Sequence, residues 1–284
     1  MATMEKKLAV ITGADGGMGT EITRAVAQAG YRVVMACYHP EKGRSVCEQL
    51  KAETGNGQLE VIPLDLSSLA AVARFADQLL QRGERIELLM NNAGTLETGL
   101  HLTEDGLERT VSVNYVGPYL LTRKLLPLLG EGSRVVNMVS CTYAIGRLHF
   151  PDFFLRGRKG DFWRIPIYSN SKLALTLFTL DLASRVKERG IVVNCADPGI
   201  VSTRIISMHM WFDPLTDIFF RPFIRTPRQG ADTAIRLLLT PEGSQRTGTL
   251  HASGKPKPLA AKFTHHPQMA ELWRRTEEIV APWL

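Results

Sequence analysis

Tyr168 and Lys172 stand four apart in Tyr168-Ser169-Asn170-Ser171-Lys172, at the head of an apolar run from Leu173 to Val186. On a helix, residues four apart share a face, so the spacing predicts a phenol beside an ammonium. A free phenol has a pKa of about 10 and is a poor base at neutral pH. A neighbouring positive charge favours the phenolate. A lowering of ~3 units corresponds to roughly 4 kcal/mol, enough to bring the phenol near neutrality. Such a pair could pass a proton to or from an alcohol oxygen. The same residues could also be a surface Tyr stacked on a Lys stem, so the segments upstream decide between the two.

Near the start, Leu8-Ala9-Val10-Ile11-Thr12 is a short apolar run that reads as a buried strand. Gly13-Ala14-Asp15-Gly16-Gly17-Met18-Gly19 follows at once, and then Ile22, Val26 and Ala29 recur at helical spacing up to Gly30. Strand, glycine turn and helix in that order form the context of a dinucleotide site. Glycine lets the backbone approach a pyrophosphate, and the helix start offers free N–H groups and the positive end of its dipole. The glycine spacing is Gly-x-x-x-Gly-x-Gly, and taken alone it would fit an ordinary tight strand-to-helix turn.

Together with Asp65, Asn91-Asn92-Ala93-Gly94, Asn114, Ser140 and Pro198-Gly199, these segments resemble the short-chain dehydrogenase/reductase family. The motifs occur in the family's order over almost the whole chain. Gly146 to Phe150, Thr226 to Ala231 and Gly248 to Lys257 are similar to its retinol-dehydrogenase-like branch. The resemblance implies an oxidoreductase that moves hydride between a nicotinamide cofactor and a carbonyl/alcohol pair. It implies Tyr168 as the acid/base and Lys172 as the group that lowers its pKa and holds the nicotinamide ribose. Ser140 would bond the substrate oxygen, where charge develops, and Asn114 would position a water in a proton relay. Gly13, Asp15, Gly17, Met18 and Gly19 would form the pyrophosphate loop. Asp65 would meet the adenine amino group, with Leu66 beside it. Asn91, Ala93 and Gly94 would close the fourth strand beside the cofactor, with Asn91 touching ribose. Pro198, Gly199, Val201 and Thr203 would meet the carboxamide. Asp197 departs from the family's usual His or Asn and has no assigned role.

The second strand ends Ala36-Cys37-Tyr38-His39, without the carboxylate that NAD readers place there for the ribose diol. It also lacks the Arg that phosphate-reading relatives carry where Tyr38 stands. His39, Lys42 and Arg44 could supply charge to a 2′-phosphate, which favours NADP over NAD; Tyr38 remains a possible reader of the diol.

Strands are expected at 8–12, 32–37, 58–64, 86–91, 133–139, 190–196 and 248–252, alternating with helices. Their near-continuous apolar runs suit a sheet covered on both faces. The fold expected is therefore α/β, a Rossmann-type doubly wound parallel sheet of about seven strands, with ligands beyond the strands' carboxyl ends. One domain over 1–284 is the simplest organisation. Two segments break the rhythm, an insertion at 147–167 and an aromatic, Met-rich segment at 202–226 that would form a substrate lid. The latter could equally cover the core, make a subunit contact in a homo-oligomer, or rest on a membrane surface.

At 284 residues with 44% hydrophobic content, the chain can build one large soluble core. No run approaches a membrane span. Members of the retinol-dehydrogenase branch often carry an N-terminal anchor, but Met1 to Lys7 shows neither anchor nor signal character. The four cysteines show no metal or disulfide spacing, which points to a reducing cytoplasm. The net charge of +6 is scattered, which argues against nucleic-acid binding and would help attract a polyanionic cofactor. Two rivals to a soluble enzyme on a small, apolar carbonyl or alcohol are a non-catalytic nucleotide-sensing scaffold and a peripheral membrane enzyme acting on lipids.

Overall fold

The computed structural model describes residues 7–150, 153–154, 164–201 and 225–284. Among these, eight strands form one sheet in the order β3-β2-β1-β4-β5-β6-β7-β8. They are β1 (Leu8–Thr12), β2 (Arg32–Cys37), β3 (Leu59–Pro63), β4 (Ile86–Asn91), β5 (Arg134–Met138), β6 (Val192–Asp197), β7 (Thr249–Ala252) and β8 (Lys255–Lys257). All neighbours are parallel except β7 and β8. The order reverses between β1 and β4, and that reversal opens a crevice at their carboxyl ends.

Alternation within each strand divides the core. Ala9, Ile11, Val33 and Met35 pack on one face with α1 (Gly17–Gln28), α2 (Pro40–Thr54) and α7 (Pro227–Leu239). Val10, Val34 and Leu89 pack on the other with α3 (Leu69–Arg82), α5 (Gly117–Leu125) and α6 (Arg164–Arg185). α5 follows a short α4 (Arg109–Val111) and a π-helical turn, Ser112–Val116. The C-terminal helix Met269–Val280 is tied to this second layer: Tyr119 Oη and Arg123 Nε both donate to Glu277 Oε1, at 2.6 and 2.7 Å.

The sheet has one strand more than the seven expected. β8 turns back on β7 through Ser253 and Gly254, both at positive φ (52° and 71°), which is hairpin-turn geometry. Its sequence, Lys-Pro-Lys, is exposed and carries no apolar period that could signal a strand. Among the described residues no helix is long and apolar enough to cross a membrane. Of the 147–167 insertion, only 147–150, 153–154 and 164–167 are described. The expected lid lies outside the described residues except Arg225 and Thr226.

Candidate active site

The turn after β1 leads straight into α1, whose N-cap Gly16 offers no side-chain cap and whose first turn holds no acidic residue. Its first N–H groups therefore face the crevice with an uncompensated positive dipole end. Close packing explains the third glycine: a Cβ on Gly19 would lie 2.0 Å from the Gly13 carbonyl oxygen. The turn is stapled to the end of β4. Asn92 Nδ2 donates to the Thr12 and Gly13 carbonyls at 3.0 and 3.2 Å, and the Asn92 and Ala93 amides both donate to Thr12 Oγ1 at 3.0 Å.

A cavity of about 660 Å³ lies over this turn. Gly13, Asp15, Gly17, Met18, Gly19, Tyr38, His39, Asp65, Leu66, Ala93 and Gly94 all line it. Asn91 does not: its amide nitrogen donates to Thr122 Oγ1 and Asn137 Oδ1, at 2.9 and 2.7 Å inside the core. Strand alternation turns Asn91 inward and leaves Asn92 at the cavity, correcting the expected ribose contact. Asp65 Oδ1 accepts from the Ser67 amide and hydroxyl, at 2.8 and 2.6 Å, and Ser68 caps α3.

The basic residues at the second strand's end divide. Lys42 lines the cavity but is held by Asp15, Nζ to Oδ2 at 2.8 Å. Arg44 pairs with Glu41 on the exposed face of α2 and is not among the lining residues. Arg109, which the sequence motifs did not single out, is. Its Nη2 donates to Tyr38 Oη at 3.3 Å, its Nε faces Glu97 at 3.6 Å, and that buried Nε has no hydrogen-bond partner among the described residues. Some 70 residues separate Arg109 from Tyr38, and only the topology brings them together.

A second cavity, of about 210 Å³, shares Met18, Asn92 and Gly94 with the first, so the two form one continuous cleft. Ser140, Tyr168, Lys172, Pro198, Gly199 and Val201 line it. Ser140 follows the end of β5 by two residues, and its Oγ accepts from the Thr142 amide at 3.3 Å, so it caps the following turn while lining the cavity. α6 begins at Arg164, one turn before Tyr168. Lys172 is buried and donates from Nζ to the Met138 carbonyl at 2.9 Å; the ammonium lies 5.6 Å from the centre of the Tyr168 ring. Burial pushes the Tyr168 phenol up to about 12, against the effect of the Ser140 hydroxyl. Burial also brings Lys172 down to about 8. The lowering of Tyr168 by Lys172 that the spacing predicts is not seen here: desolvation dominates, and the Ser140 hydroxyl is the group that lowers the phenol.

Asn114 is fully buried in the π-helical turn, a widening that often marks functional sites. Its amide donates to the Thr95 carbonyl and to Ser171 Oγ, at 2.9 and 3.0 Å, and its Oδ1 accepts from the Thr95 amide at 2.8 Å. Ser171 in turn donates to the Tyr168 carbonyl at 2.7 Å. A methyl group on Gly94 would come within 3.2 Å of Asn114 Oδ1 and 3.5 Å of Lys172 Nζ, so these side chains meet at the junction of the two cavities. Ser171, passed over as a spacer in the motif, links Asn114 to the backbone of Tyr168.

Asp197 is buried at the end of β6, and its Oδ1 accepts from the Gly199 amide at 3.0 Å, fixing the Pro198–Gly199 turn. Arg225 holds the same turn, donating to the Pro198 carbonyl at 3.2 Å. Thr203 lies outside the described residues.

A parallel sheet that reverses at β1/β4, a glycine turn at a helix start, and Ser, Tyr and Lys around an adjoining cavity define a nucleotide-dependent oxidoreductase of the Rossmann type. The family model for short chain dehydrogenase matches residues 7–153 and 156–209, and the chain belongs to that family. It is 39% identical to retinol dehydrogenase 11 of Mus musculus over 253 residues, covering 87% of this chain and 77% of that protein. It is 34% identical to retinol dehydrogenase 12 of Bos taurus over 277 residues, covering 96% and 86%. These likenesses set it in the retinol-dehydrogenase-like branch, and it is an NAD(P)-dependent oxidoreductase. Among solved structures, the RhlG/NADP complex of Pseudomonas aeruginosa superposes with a TM-score of 0.67 at 27% identity, covering 88% of this chain and 95% of that one. A short chain dehydrogenase from Burkholderia cenocepacia in complex with NADP gives 0.70 at 25%, covering 88% and 97%.

Proposed function

We propose that the chain transfers hydride between NADP and a small, largely apolar aldehyde, ketone or alcohol, with Tyr168 carrying the proton. The observation that carries this is the convergence of Ser140, Tyr168 and Lys172 on one cavity that joins the glycine-turn cavity. The cleft suits a dinucleotide: the uncapped start of α1 and the close Gly13–Gly19 approach receive the pyrophosphate, and Asp65 and Leu66 receive the adenine. When bound, the nicotinamide supplies or accepts the hydride. During carbonyl reduction Tyr168 gives its proton to the substrate oxygen, and in alcohol oxidation it takes the proton back. The Ser140 hydroxyl donates to the same oxygen and steadies its developing charge. The Lys172 ammonium favours the phenolate and holds the nicotinamide ribose. Asn114, through Ser171, positions the turn that carries Tyr168.

NADP is favoured over NAD because Cys37, not a carboxylate, ends β2, and because the Arg109 guanidinium lines that end of the cavity beside Tyr38, with Lys42 near it. The NADP named in two similar structures agrees with this preference. Met18, Leu96, Met138, Ile165, Ile200 and Val201 give the substrate end its apolar character. Four free cysteines suit the cytoplasm. The test is a turnover screen of medium-chain aldehydes, ketones and sterols with each cofactor. Reduction of apolar carbonyls with NADPH is expected; no turnover with either cofactor would overturn the assignment.

A further inference from the structure

Arg164 opens α6 and lines the substrate-end cavity, one turn ahead of Tyr168 and two ahead of Lys172. Three observations concern its charge. Its Nη2 makes a long hydrogen bond to the Leu96 carbonyl at 3.3 Å, while its Nε is buried with no partner among the described residues. The described residues lining the cavity include two cations, Arg164 and Lys172, and no carboxylate. No acidic residue stands in the first turn of α6, whose N-terminal end favours negative charge. A guanidinium presents five donors in a planar fork that matches carboxylate geometry, and among the described residues the Nε donor of Arg164 is not committed. A partly buried guanidinium with a buried, unpaired Nε favours an anionic partner.

We propose that Arg164 receives an anionic group of the substrate. The cavity then takes an apolar carbonyl or alcohol compound that carries a carboxylate, an oxo or hydroxy acid. This rests on the function proposed above and narrows its substrate class. A helical turn rises about 5.4 Å, so the carboxylate sits several bonds from the carbon that reacts beside Tyr168. The apolar side chains of Met18, Leu96, Ile165 and Ile200 receive the hydrocarbon between them.

The test is calorimetric binding of octanoate and 1-octanol to the full chain saturated with NADP+. The wild type is expected to bind octanoate about tenfold more tightly than octanol, the scale of a charge-assisted hydrogen bond. In Arg164→Met that preference should fall to within about twofold. Arg164→Lys, which keeps the charge without the fork, should retain part of it and guards against a folding defect in the first variant. Equal binding by the wild type, or a preference that survives Arg164→Met, would overturn the proposal. Turnover of octanal and 8-oxooctanoate by the wild type is read separately. Failure to turn over either compound removes the proposed function, whereas the binding preference alone decides the role of Arg164.

Discussion

Lys172 lies against the face of Tyr168, its ammonium 5.6 Å from the ring centre, but gives its hydrogen bond to the Met138 carbonyl at 2.9 Å. The two side chains share a cavity wall, and both feel burial more than each other: the phenol is pushed up to about 12 and the ammonium down to about 8.

That depression has a consequence for stability. Between about 8 and the ordinary value of 10.5 the folded chain holds fewer protons at Lys172 than the unfolded chain does. Stability from this group therefore rises with pH across that window and is lowest below it, where a buried ammonium must be kept charged. Lys172→Met should be more stable than the wild type at pH 7, by about 1–3 kcal/mol. The difference should shrink by pH 10. Thermal melting of both proteins at the two pH values checks this; a variant less stable at pH 7 would mean that the Met138 bond outweighs desolvation.

The glycine turn makes a steric prediction. A Cβ on Gly19 would sit 2.0 Å from the Gly13 oxygen, so Gly19→Ala must displace the turn proposed to hold the pyrophosphate. Cofactor affinity should fall at least about tenfold, or ~1.4 kcal/mol, with the far-ultraviolet circular dichroism spectrum retained. Titration of cofactor fluorescence reads the loss, and unchanged affinity would remove the turn from the binding site.

Cofactor choice divides the basic residues. Arg109→Ala should raise the Kd for NADP about tenfold and that for NAD far less, since a guanidinium bonds phosphate with paired charge-assisted hydrogen bonds. Arg44→Ala should change neither, because Arg44 is paired with Glu41 outside the cavity lining. Equal losses for both cofactors in Arg109→Ala would assign Arg109 to the adenine, through Tyr38, instead of the phosphate.

Asp197→Ala removes the acceptor for the Gly199 amide and should destabilise the chain by about 1–3 kcal/mol, the range for a buried donor left unsatisfied. Denaturant unfolding measures it. Asp197→Asn, which keeps an acceptor oxygen, should recover most of the loss.

The parallel sheet was legible because its central strands, such as β1 and β2, are apolar on both faces and are closed by turn signals. Tyr168, Lys172, Ser140 and the glycine turn were legible because their chemistry lies in short local spacings. The rest depends on distant pairings. Arg109 meets Tyr38 only through the sheet order, and Ser171 gains a role only because the π-helical turn delivers Asn114 to it. Asn91 was expected at the cavity where Asn92 stands, because neighbouring strand residues point to opposite faces, which fixes that one enters the core without saying which. β8 escaped notice because Lys255-Pro256-Lys257 is held by a turn and not by burial. Asp197 showed no role in sequence because its partner is a backbone amide two residues on.

The proton-carrying role of Tyr168 is the centre of the account, and Tyr168→Phe tests it most directly, since it removes one hydroxyl and leaves the ring on Lys172. Single-turnover reduction of an apolar aldehyde by the NADPH-loaded protein should slow by at least about 100-fold. The Kd for NADPH should stay within about threefold, less than the ~1.4 kcal/mol of a tenfold change. A folded Phe variant that binds NADPH normally and reduces the aldehyde near the wild-type rate would contradict the account.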